Sequence, residues 1–159
     1  IVLRPDGGFL AGGVLGQGQV PAVGPGVRMM WYPGKAAFRA GQAVGSLWDD
    51  ASIGTTSAAL GLGTTASGVA SIATGMDTTA SGQTSTALGN ATLASGITST
   101  ALGDNTTATG AVSLAGGVAT TASGDGSVAL GVRTTASGAF SVALGNLTTA
   151  SGNATQCST

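Results

Sequence analysis

The chain has 159 residues, of which only 7% are charged, with five basic and six acidic side chains and a net charge of −1. So neutral a chain has no electrostatic footprint for nucleic acid, and it has no apolar run long enough to insert this segment into a membrane. It has no His and no Glu, so no Ser/His/Asp set, no carboxylate pair and no Cys/His metal cluster can be assembled; neither an enzyme nor a bound cofactor is expected.

Residues 1–53 form a first unit that follows no repeat. They hold both Trp, the only Tyr, all four Pro and four of the five basic residues. The Gly-rich stretch Asp6–Gly26 predicts turns and short strands. Arg28–Arg39, RMMWYPGKAAFR, predicts a hairpin turning at Pro33–Gly34, with Met29, Trp31, Phe38 and Trp48 as a small core. Such a unit suits the end of a stacked structure, where unpaired backbone groups must be blocked. An aromatic ligand-binding tip is the other reading, and the two are compatible. Asp49–Asp50 at the junction read as turn and capping carboxylates, with a bound cation as the alternative.

The second unit, residues 54–159, is organised by a repeat of fourteen residues copied seven times without insertion or deletion. One glycine series is Gly61, Gly75, Gly89, Gly103, Gly117, Gly131 and Gly145; a second runs from Gly68 to Gly152 at the same interval. The copy Gly131–Leu144 reads GVRTTASGAFSVAL, and each half obeys G-x-x-[ST]-x-A-[L or S]. A heptad with Gly in every unit and β-branched Thr beside it is no coiled coil. It predicts one short strand and one glycine turn per heptad, two strands per coil, and an all-β parallel β-solenoid of seven coils.

Strand alternation assigns the faces. Thr134, Ala136 and Gly138 share a parity with Ser141, Ala143 and Gly145, and these small residues are placed inside. Opposite them, Thr135 and Ser137 suit water, whereas Val142 and Leu144 do not. Stacking extends the apolar set into a stripe: Leu60, Ile72, Leu88, Leu102, Leu114, Val128, Leu130, Val142 and Leu144. A stripe of that size is seldom left exposed on a monomer, so it is the expected interface of a symmetric oligomer.

The coil after Gly152 loses the pattern. Cys157 takes the place of Ala143 one coil on and is expected to face inward; as the only cysteine, it is either a buried small residue or an interchain disulfide partner. Asn90, Asn105, Asn146 and Asn153 each begin N-x-T, an N-glycosylation acceptor in a secreted eukaryotic chain, and all are expected at turns.

SVALG at Ser127–Gly131 and Ser141–Gly145, with TTASG between, resembles the head repeats of trimeric autotransporter adhesins, which also occur in phage tail-fibre-like proteins. The resemblance covers Gly54–Gly152. It implies a left-handed β-roll, three chains around a threefold axis, and an extracellular or cell-surface role in adhesion or fibre building. A receptor would then be a host-surface, matrix or glycan ligand. No heptad stalk or anchor barrel is recognised within these residues, which leaves room for end-to-end stacking into a filament. A second function is also legible. Thr65, Thr79, Thr107, Thr121, Thr135 and Thr149 form a ladder, interrupted by Leu93 and flanked by a Ser row, and a regular hydroxyl face of this kind could bind ice.

Overall fold

A computed structural model describes residues 2–3, 9–153 and 156–158. Each coil contributes a long strand of five residues and a short strand of two, beginning with Ala58–Leu62 and Thr65–Ala66 and ending with Val142–Asn146 and Thr149–Ala150. The two strands of a coil do not pair with each other. Each pairs in parallel, fourteen residues on, with its counterpart in the next coil, as in Leu88↔Leu102 and Thr107↔Thr121. The result is a parallel β-solenoid with two walls, a seven-stranded sheet of short strands and a ten-stranded sheet of long strands.

The ten-stranded sheet also holds elements from outside the repeat. Strands β1 (Val2–Leu3) and β2 (Phe9–Leu10) pair only with each other. Strands β3 (Gly26–Tyr32) and β4 (Ala37–Ala43) form an antiparallel hairpin, turning through Pro33–Lys35. Strand β4 then pairs in parallel with β5 (Ala58–Leu62), the first long strand. The sheet therefore runs unbroken across the boundary expected at residue 53. At the other end, Gln156–Ser158 pairs in parallel with Val142–Leu144.

The interior is narrow, and the sequence fills it accordingly. Two alanine columns, Ala59 to Ala143 from the long strands and Ala66 to Ala150 from the short ones, are all within 2% of complete burial. The corners carry hydroxyls: a column of Ser from Ser57 to Ser141, and a column of Thr from Thr64 to Thr148. Five of the serines close their own turns from within; Ser99 Oγ, for instance, donates to Gly96 O at 2.8 Å. The threonine hydroxyls find no partner among protein atoms.

The expected inward placement of Thr134, Ala136, Gly138, Ser141 and Ala143 agrees with the structure, but Gly145 lies at the surface. Its series is needed for another reason. Gly103 has φ +119°, which L side chains rarely adopt, and a Cβ there would land on the carbonyl of Gly117 in the next coil. Turns add a second strain. The residue before each interior Ser or Thr is left-handed: Val112 at φ 57°, Phe140 at φ 57° and Leu147 at φ 58° among others. Backbone bonds between coils hold these turns, as when Val112 N–H donates to Ile97 O at 2.8 Å.

The hairpin core differs from the expected one. Met30, Tyr32, Ala37, Ala43, Trp48 and Ile53 are buried together. Met29 is 69% exposed, Phe38 lies on the outer surface and Trp31 is half-buried. Apolar residues fill both faces of Met29–Tyr32, so alternation carried no signal. Register decides instead: Arg39 pairs with interior Ala59, which turns Phe38 outward beside Ala58.

Candidate functional site

The largest distinctive surface is the outer face of the ten-stranded sheet. Register resolves the expected stripe into rows. One contains Leu60, Thr74, Leu88, Leu102, Gly116, Leu130 and Leu144; beside it run Ala58, Ile72, Thr86, Thr100, Leu114, Val128 and Val142. Ile72, Leu88, Leu102, Leu130 and Leu144 are exposed, whereas Leu60, Leu114, Val128 and Val142 are half-buried. All nine residues of the stripe thus share one outward face in a single chain. A third row, containing Leu62, Met76, Val118 and Val132, was not anticipated. It sits at the strand end, where other coils carry Asn90, Asp104 and Asn146, and that variation hid it.

The opposite wall is polar. Thr65, Thr79, Leu93, Thr107, Thr121, Thr135 and Thr149 stack in register, one outward residue per short strand. The row has the predicted break at Leu93.

At the hairpin end the interior is plugged. Arg39 is fully buried and forms no ion pair among the described residues. Its guanidinium donates to Phe38 O, Ser57 O, Ser57 Oγ and Ala66 O at 2.8–3.0 Å, thereby serving the first coil's carbonyls. Burial lowers its pKa to about 10. Trp48 Nε1 donates to Thr64 O at 2.8 Å, and the Arg28 guanidinium lies 5.6 Å from the Trp48 ring centroid. Through these contacts residues 28–53 bond to the backbone of the first coil.

Asp49 and Asp50 are engaged separately. Asp49 Oδ1 accepts the Gly24 N–H, while Asp50 Oδ1 accepts the Tyr32 hydroxyl at 2.8 Å and pairs with Lys35 Nζ at 3.2 Å. The Tyr32 hydrogen bond, followed by Lys35, holds the Asp50 carboxyl below its ordinary value, and the same bond pushes the Tyr32 phenol up. Among the described residues no cluster of three His, Cys, Asp or Glu could hold a metal. A shallow hollow beside this triad is lined by Gly18, Gln19, Val20, Tyr32 and Asp50. Tyr32 is the aromatic residue in its lining, while Trp48 is fully buried.

The four sequons fall in two kinds of place. Asn105 is an exposed left-handed turn residue and Asn153 lies in a turn. Asn90 and Asn146, expected at turns, end long strands instead, and Asn90 Nδ2 donates to Asp104 Oδ1 one coil on. The backbone of Cys157 pairs with Ala143, the predicted register; its side chain lies outside the described residues.

No described helix is long and apolar enough to cross a membrane. The family model for the YadA head domain repeat, in two copies, matches residues 52–78, 80–106, 94–120, 122–148 and 136–155. A comparison with curated proteins gave no match.

Proposed function

The chain belongs to the YadA head domain repeat family, and on that premise we propose that it is a non-enzymatic, extracellular rod of three chains, part of an adhesive surface fibre. The observation that carries this reading is the outward apolar face. Two alanine methyls per coil make a small core, while leucine and valine rows of the same sheet face outward. Burying those rows against two further copies gives each coil the apolar contact its own interior lacks. Left-handed winding, implied by the family relationship, is part of the same proposal. Seven coils stacked at about 4.7–4.9 Å give a rod on the order of 34 Å long. The contact with a host-surface, matrix or glycan receptor belongs to the same proposal, as does glycosylation, for which exposed Asn105 is the best-placed sequon.

The test is a paired substitution read by solution mass. Leu130→Asp with Leu144→Asp puts unpaired charges into the interface and should dissociate the assembly. Thr135→Asp with Ser137→Asp adds the same charge to the opposite wall and should leave it intact. Dissociation by the second pair alone would assign the faces the other way round.

Ice binding is the second reading, and the in-register threonine row favours it. Thermal hysteresis at high protein concentration tests it; none at all would remove it.

A further inference from the structure

We infer that the outer face of the β3–β4 hairpin, outside the family repeat, is a contact surface for a second copy of this chain and sets the axial register of the copies. The inference rests on the self-association proposed above. The hairpin continues the outward rows of the same sheet: Phe38 pairs with Ala58 and Trp31 with Phe38; Ala40 pairs with Leu60 and Met29 with Ala40; Gln42 pairs with Leu62 and Val27 with Gln42. Val27 is 81% exposed and Met29 69%, and Phe38 is exposed beside half-buried Trp31. Within the hairpin these rows carry no charged side chain and one polar one, Gln42; the nearest charge in them is Asp104, four strands away, and Arg39 is buried on the other face. The surface this face matches is therefore largely apolar, and because it continues without a break the sheet face proposed above to meet another copy, that copy is the partner it fits.

The leucine row of that face does little to fix how copies align. Sliding one copy by one coil, about 4.7–4.9 Å, moves Leu88 to the level of Leu102 and Leu130 to that of Leu144, so leucine again meets leucine. Within the leucine row only the notches at Thr74 and Gly116 oppose the slip, and the flanking rows add the polar steps Thr86–Thr100 and Asn90–Asp104 near mid-stack. The hairpin has no counterpart among the coils. Its Trp31–Phe38 pair occurs once, so a slipped copy sets the ring of Phe38 against the level of Ala58 and leaves apolar surface uncovered at both ends. Staggered copies of this kind recruit more copies, because a closed ring becomes an open stack.

Two measurements on the full chain, in a Cys157→Ser background, test this. With a short bismaleimide, Met29→Cys should become covalently linked between chains to an extent comparable with Leu102→Cys. Linkage at Leu102→Cys without linkage at Met29→Cys would take the hairpin out of the interface and overturn the inference. Linkage at neither, with a monomeric mass, would instead overturn the self-association it rests on. In sedimentation, the parent should give one boundary, and Met29→Ser with Phe38→Ser a ladder of larger species. In a Trp31→Phe background, unchanged Trp48 fluorescence would show the hairpin packing intact in that variant. A single boundary at the parent's mass would refute the register role.

Discussion

Two buried hydroxyls of one coil should respond in opposite directions to loss of oxygen. Thr106 is fully buried and its Oγ1 has no partner among protein atoms. Its neighbours in the column, Thr92 and Thr120, stand one coil away on either side, about 4.8 Å, beyond the roughly 2.5–3.0 Å of a hydroxyl hydrogen bond. Thr106→Val keeps the branched shape and exchanges the hydroxyl for a methyl. An unsatisfied buried hydroxyl costs about 1–3 kcal/mol; tight packing around the new methyl takes back part of that relief, leaving a gain of about 1 kcal/mol per chain. Ser99→Ala removes the bond to Gly96 O at 2.8 Å, although that carbonyl keeps the Ser99 N–H. The loss is about 0.5–1.5 kcal/mol. Thermal unfolding of both variants should shift Tm by about 2–4 °C, upward for Val and downward for Ala. If Thr106→Val is destabilised as much as Ser99→Ala, the threonine hydroxyl has a partner such as an enclosed water, and the reasoning fails.

Further expectations concern the coil stack and its cap. Gly103→Ala sets a Cβ on the Gly117 carbonyl at φ +119° and should cost about 2–4 kcal/mol from strain and overpacking together; denaturant unfolding at the parent's midpoint would exclude the close approach. Arg39→Met should stay within about 1 kcal/mol of the parent, because a buried unpaired charge is removed while Ser57 O keeps Phe38 N–H and Ala66 O keeps Gly54 N–H. Arg39→Ala should lose about 2–4 kcal/mol to the cavity, and equal losses for the two would show that the hydrogen bonds, not the volume, dominate. The packing of residues 28–53 should also loosen at both pH extremes, read by Trp48 fluorescence in a Trp31→Phe background. Asp50's depressed carboxyl stabilises above its ordinary 3.8 and loses that contribution as pH falls through the lower folded value; Tyr32's raised phenol stabilises below 10.0 and loses it as pH rises through the higher folded value. A flat response, or loosening at only one extreme, would exclude the paired contact.

The repeat was legible because its period and parity are both strict. Ala101 and Ala108 recur every fourteen residues, and a side chain larger than Ala has no space between the walls. The turn conformations were not legible. Val112 and Phe140 in one turn column and Leu147 in the other are poor left-handed residues, and the telling signals, Gly126 in the first and Gly63, Asp77 and Asn105 in the second, are a minority of each. The hairpin core was misread for a different reason. An arginine between Phe38 and Ala40 predicts an outward side chain, whereas pairing of Arg39 with Ala59 makes it the plug of the first coil. That choice depends on tertiary register, which local alternation does not encode.

Because each coil bonds in register only to the coil on either side, its contribution is indifferent to how many others exist. Gain or loss of one fourteen-residue unit leaves every remaining turn, glycine contact and hydroxyl bond as it was. Near-identical units in tandem are also the substrate on which unequal recombination and replication slippage act. Length is consequently a quantity that inheritance can adjust in steps of one coil, with the hairpin and its aromatic face carried along unchanged, while a shift that is not a multiple of seven residues would interrupt both glycine series at once.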